Sequence, residues 1–192
     1  MPLLFLILVS PMVADLSARS LVVHHFAHWL WAVAGAMAGY QFRNLVRLPG
    51  RTLVAWAGLG AVFLWHLPPL LGWAEANQAA HVFAHATLLV GGCAMAWAVP
   101  ELSGERRAAL FIAATVVMWP LVLAELVNAF AYPRYPGQAT AAGVAELVAM
   151  PIAWLVFALW GPLRSGLSRP GASGAVQALF AVAALAGWVL PF

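Results

Sequence analysis

Six histidines fall in three places along this 192-residue chain: His24, His25 and His28, then His66, then His81 and His85. His24 and His28 are four residues apart, as are His81 and His85. On a helix each such pair stacks on one face, about 6 Å apart at Cβ. Two imidazoles so placed can both reach one small ion at about 2 Å, with a further ligand supplied by a neighbouring helix. Neutral imidazole donors without thiolate suit copper or zinc. The lone cysteine, Cys93, excludes an intrachain disulfide and every multi-cysteine metal motif. It follows His81 by twelve residues on the same stretch, about 18 Å deeper along a helix, so neither it nor Met95 can join an outer histidine site. The candidate ligand pool is therefore His24, His28, His66, His81 and His85. His25 points about 100° away from His24 and is expected to face lipid headgroups.

Haem is the competing occupant. Two axial histidines must approach iron from opposite faces of a porphyrin, so a haem b would take one of His24 and His28 with one of His81 and His85. That would use two of the six histidines and leave the doubled HxxxH pattern idle. A two-metal oxygenase with Glu125 or Glu146 as bridging ligands requires more histidines than six. Glu125 and Glu146 lie inside apolar stretches with no Arg at helical spacing. They read as hydrogen bonds between helices, as support behind a ligating histidine, or as a proton path, with Asn128 sharing the Glu125 face at i,i+3.

The elements that carry these residues follow from composition. Hydrophobic residues make up 65% of the chain and charged residues 8%, and the net charge of +3 comes from Arg alone because there is no Lys. A soluble domain carries about 25% charged residues. The chain therefore reads as an all-α integral membrane protein in a lipid bilayer. Nucleic-acid binding is excluded because the Arg residues are scattered and form no basic face.

Six stretches are long and apolar enough to span: roughly 20–42, 51–67, 77–99, 107–131, 137–161 and 172–192. Pro2 to Ala14 adds a shorter one, continuing towards Ala18. It reads as a retained helix and not as a leader, since no Arg or Lys precedes it and Met12 with Ala14 makes no small-x-small cleavage site. The expectation is a single transmembrane domain, 1–192, of about seven helices, or six if the N-terminal segment does not span, with a His-rich core at 20–100. Because Pro68 and Pro69 follow His66, the third helix should end near Leu67.

Seven spans put Arg43, Arg47, Arg51, Arg106, Arg107, Arg164 and Arg169 on one side, against Arg19 and Arg134 on the other. Arg-rich short loops stay in the cytoplasm. The N-terminus is then cytoplasmic, and the C-terminus and all six histidines lie towards the outside of the cell (inner) membrane.

The segments Ser10-Pro11 with Asp15, His24 to His28, Trp65-His66-Leu67-Pro68, His81 with His85, and Gly91 with Trp97 and Pro100 occur in the order seen in the CtaG-type cytochrome c oxidase assembly factors, which the chain resembles over about 10–100. It departs from that pattern at His25 and Ala27 and in lacking a double Trp before Pro100. The resemblance implies an extracytoplasmic-facing copper protein, a metallochaperone more than an enzyme. Its partners would be a haem-copper oxidase subunit or a copper donor protein. A b-type haem protein in electron transfer and a purely structural oxidase subunit are the other readings.

Overall fold

Helix starts are set by local chemistry at Ser10, Ser20, Asn77 and Ser103. Each accepts a backbone N–H from three residues on through its side-chain oxygen, satisfying a donor that has no partner inside the helix. The computed structural model describes residues 7–45, 49–150 and 152, all helix, turn and loop. Its helices are α1 (Pro11–Arg19), α2 (Leu21–Phe42), α3 (Arg51–Leu64), α4 (Pro68–Ala76), α5 (Gln78–Ala98), α6 (Gly104–Leu126) and α7 (Ala139–Met150). The chain divides into two compact units, Met1–Leu147 and Val148–Phe192. Everything described below belongs to the first. The segment 172–192, the far part of 137–161, the start of the first stretch, and Arg47, Arg164 and Arg169 lie outside the described residues.

Leu21–Phe42, Gln78–Glu101 and Gly104–Leu126 are each long and apolar enough to cross a membrane, and α3 with α4 qualifies as a fourth if the bent pair is one span. The third stretch departs from expectation. Helix α3 stops at Leu64, and the prolines that end it also begin α4, which leaves at 67° to α3. Proline fits the first turn of a helix, where its missing N–H has no partner to lose, so Pro68-Pro69 restarts a helix where a loop was expected. Ser10 acts similarly on the first stretch: it caps α1, with Pro11 in the opening turn, so the chain is interrupted there and does not continue as one helix.

Three glycines set the distance between α2 and α5. A Cβ on Gly35, Gly39 or Gly92 would stand about 2 Å from the carbonyl oxygen of Leu89, Cys93 or Ala32 respectively. Backbones in contact at these points hold the two parallel helices close together, the small-residue packing by which helices associate in lipid. Gly58 and Gly91 bring α3 close to α5 as well, though less tightly: a Cβ on either would stand 2.7 or 2.9 Å from the other's carbonyl oxygen. At the far end of the bundle Ala55, Leu59, Trp97, Ala98, Leu102 and Leu110 form an apolar cluster. Arg51 closes that end with its guanidinium over the Trp97 ring, 4.7 Å from the centroid.

Candidate metal centre

The first two turns of α2 and of α5 lie beside each other above the glycine seam. His24 faces His81 with ring centroids 5.9 Å apart, and His28 faces His85 at 5.6 Å, so the two i,i+4 pairs meet in register. Within each helix the rings meet edge to face, with centroids 4.3 Å apart for His24 with His28 and 4.4 Å for His81 with His85. His66, in the break between α3 and α4, lies 5.7 Å from His28. The structure thus gathers His24, His28, His66, His81 and His85 into one group. The first three are buried; His81 and His85 are half-buried. Trp31 stacks on His85 at 5.1 Å, and Trp29 lies 4.9 Å from His66.

Hydrogen bonds decide which ring nitrogens are available. His66 Nδ1 is 3.0 Å from the Val62 carbonyl, which can only accept. The ring proton therefore sits on Nδ1, leaving the lone pair on Nε2, which is buried without a partner. At His24 the tautomer is set by Tyr135. Burial, reinforced by the nearby Glu75 carboxylate, holds the Tyr135 hydroxyl above the usual phenol range, so it keeps its proton. That proton serves the acceptors Ser17 O at 2.7 Å and Glu75 Oε2 at 3.1 Å. The phenol oxygen is left to accept from His24 Nδ1, 3.2 Å away, so His24 also keeps its lone pair on a buried, unpartnered Nε2. Both ring nitrogens of His28 are buried without partners.

Glu75, on α4, lies against the His24 and His81 end of this group. Its Oε1 stands 3.1 Å from His24 Nδ1 and 3.8 Å from His81 Nδ1, and Oε2 pairs with Arg134 Nε at 3.0 Å. The loop between α6 and α7 thus supplies Arg134 and Tyr135 as a cover. Gln138 ties that loop to the α1/α2 junction by accepting from Leu21 N at 2.9 Å and donating to Arg19 O at 3.0 Å.

His25 corrects an expectation. It faces no headgroups: it is 2% exposed, with Nδ1 2.9 Å from Glu146 Oε1. The physical reason is that α2 is covered on two sides, by α5 around His24 and His28 and by α7 around His25. Glu125, near the end of α6, completes this second group. Ligand atoms of His25, Glu125 and Glu146 all lie within 4.8 Å of one another, the one such trio of metal-ligating residues among the described residues. Tyr132 donates to Glu125 Oε1. Burial and that bond push its hydroxyl well above the usual phenol range, so it remains a donor. Gly143 permits the approach, since a Cβ there would stand 2.9 Å from Glu125 Cβ and from Leu126 N. The centroids of His25 and His66 are 5.6 Å apart, so the two groups adjoin.

Asn128 stands apart from both. Helix α6 ends at Leu126, and Asn128 adopts a left-handed conformation (φ 53°) just beyond it. Asn128 N bonds Glu125 O at 2.9 Å and Ala129 N bonds Ala124 O at 2.7 Å, which together close the helix in a Schellman turn. The exposed Asn128 side chain therefore does not continue the helical face of Glu125. Sequence reasoning also passed over Glu75, Tyr132, Arg134 and Tyr135. The available signals were prolines opening a helix ahead of Glu75 and two tyrosines in a proline-bracketed loop.

An all-helical protein with several membrane-length apolar helices and a buried His/Glu group able to hold a metal ion is the class these features define. Residues 1–161 match the family described as a protein of unknown function, DUF1404, and the chain belongs to that family. No curated protein and no solved structure matches it.

Proposed function

We propose that the protein is a membrane-embedded copper-binding protein whose site is built from His24, His28, His66, His81 and His85, and that it serves copper delivery in the assembly of a haem-copper oxidase. The supporting observation is the set of ring nitrogens: His24 and His66 each have Nδ1 engaged and Nε2 buried and unbonded, and both nitrogens of His28 are unbonded. A buried polar atom without a partner costs about 1–3 kcal/mol, and three neighbouring rings carry such atoms, a cost that small ring movements onto a bound ion would relieve. An all-imidazole donor set fits copper, and zinc as the alternative ion. Bound copper would supply a transferable soft cation. The protein's own part is to hold the imidazole tautomers, through Val62 and Tyr135, and to exclude water with Trp29 and Trp31.

The role in oxidase assembly rests on the resemblance of 10–100 to the CtaG-type factors, with an oxidase subunit or a copper donor as partner. In this reading the chain has about seven spans, with the N-terminus in the cytoplasm and the histidines towards the outside. Haem b is disfavoured by the glycine seam, because the Ala32 carbonyl lies against Gly92 one turn below His28 and no macrocycle fits between α2 and α5 there. Elemental analysis of protein purified without chelator should find copper stoichiometric with the chain, reduced in His24→Ala and His85→Ala. A copper-free preparation that also takes up no Cu(I) overturns the reading, and a Soret band that moves on reduction puts haem in its place.

A further inference from the structure

We propose that His25, Glu125 and Glu146 form a second cation site, separate from the imidazole group, which takes a divalent ion of harder character such as iron(II) or manganese(II). Glu125 is 0% exposed and Glu146 5%, and among the described residues the one basic group within ion-pair distance of either is His25. Two carboxylates this close and this dry repel one another unless a cation or a proton lies between them.

The details favour a cation. His25 Nδ1 and Glu146 Oε1 approach to 2.9 Å, yet neither makes an aligned hydrogen bond, and Glu146 Oε2, Glu125 Oε2 and His25 Nε2 are also buried without partners. A carboxyl pair sharing a proton would bond directly, oxygen to oxygen. Here the donor atoms face a common space. Tyr132 occupies Glu125 Oε1 and so orients the carboxylate with Oε2 free, the arrangement by which groups behind a ligand fix its geometry. Two carboxylates and one imidazole balance a dipositive ion, and oxygen donors favour harder ions than the imidazole group does.

Co(II) is a suitable probe, because bound cobalt absorbs in the visible. Metal-free full-length protein in detergent should take up Co(II) to saturation, and uptake should persist in the His24→Ala/His85→Ala double variant. Affinity in that double variant should fall about 10–100-fold on adding Tyr132→Phe, which removes only the orienting hydroxyl, and binding should be lost on adding Glu146→Gln. On the unmutated protein, a hydrophobic carbodiimide should label Glu125 or Glu146 in the metal-free state and be blocked by Co(II), as mapped by mass spectrometry. Labelling unchanged by Co(II), or uptake abolished by His24→Ala/His85→Ala but indifferent to Glu146→Gln, overturns the proposal. Failure of copper binding with cobalt uptake intact would sink the copper reading alone.

Discussion

The two faces of α2 differ in how their polar atoms reach the surface. On the His24/His28 side, Glu75 connects inward to His24 and outward to Arg134, whose side chain is about half exposed, and His81 and His85 are themselves half-buried. On the His25 side, Glu125, Glu146 and Tyr132 are all buried. A site that must exchange its ion needs the first arrangement, and a site that retains one suits the second. The difference comes from the covering elements. Helix α4 with Arg134 and Tyr135 of the proline-rich loop covers the imidazole side, whereas α6 and α7, with Tyr132 from the start of that loop, enclose the carboxylate side. One helix thus serves two environments because neighbouring positions such as His24 and His25 point about 100° apart.

The largest effect should come from breaking what both sides share. Gly92→Val drives a side chain into the Ala32 carbonyl and separates α2 from α5. A loss of about 3 kcal/mol or more is expected, since backbone and not a flexible side chain stands in the way. Thermal unfolding in detergent should show it, with Gly60→Val, whose Cβ meets open space, as the control.

Next in size is Tyr132→Phe. Deleting the hydroxyl leaves Glu125 Oε1 buried without its donor, at a cost of about 1–3 kcal/mol. Copper retention on the other side should be unchanged, and coupled loss of both metals would show that the two faces form one centre. Arg134→Gln should do least. Its ion pair with Glu75 lies at the surface on the Arg side and contributes about 0–1 kcal/mol. Stability should hardly move, while copper should exchange faster with an added chelator if this side is the route in. A slower rate would place the route elsewhere.

Sidedness can be tested independently of stability. In a Cys93→Ala background, an impermeant maleimide applied to intact cells should label Ala76→Cys, at the exposed end of α4, and leave Arg47→Cys unmodified. The reverse pattern would turn both sites towards the cytosol.

The apolar stretches were enough to find α2 and α5 to within about a residue and α6 to within about five, because helix limits in such a chain follow composition; the cap at Ser103 and the turn after Leu126, which fix the ends of α6, went unread. The i,i+4 spacing likewise put His24 with His28 and His81 with His85 on common faces, since that relation depends only on helical periodicity. Sequence could not reveal how α2 is rotated among its neighbours. His25 looked outward only while α7 had no assigned place, and Gly143 is what lets Glu146 come against Glu125. Glu75 was similarly hidden, because Pro68-Pro69 read as an end and the 67° turn into α4 carries that carboxylate up to His24 and His81. What the sequence determined by itself was each helix and the residues sharing its faces, properties of short-range geometry. Which faces meet depended on contacts between residues as distant as His25 and Glu146, and those are decided by close packing at glycines and by the turns between helices, which only the tertiary structure fixes.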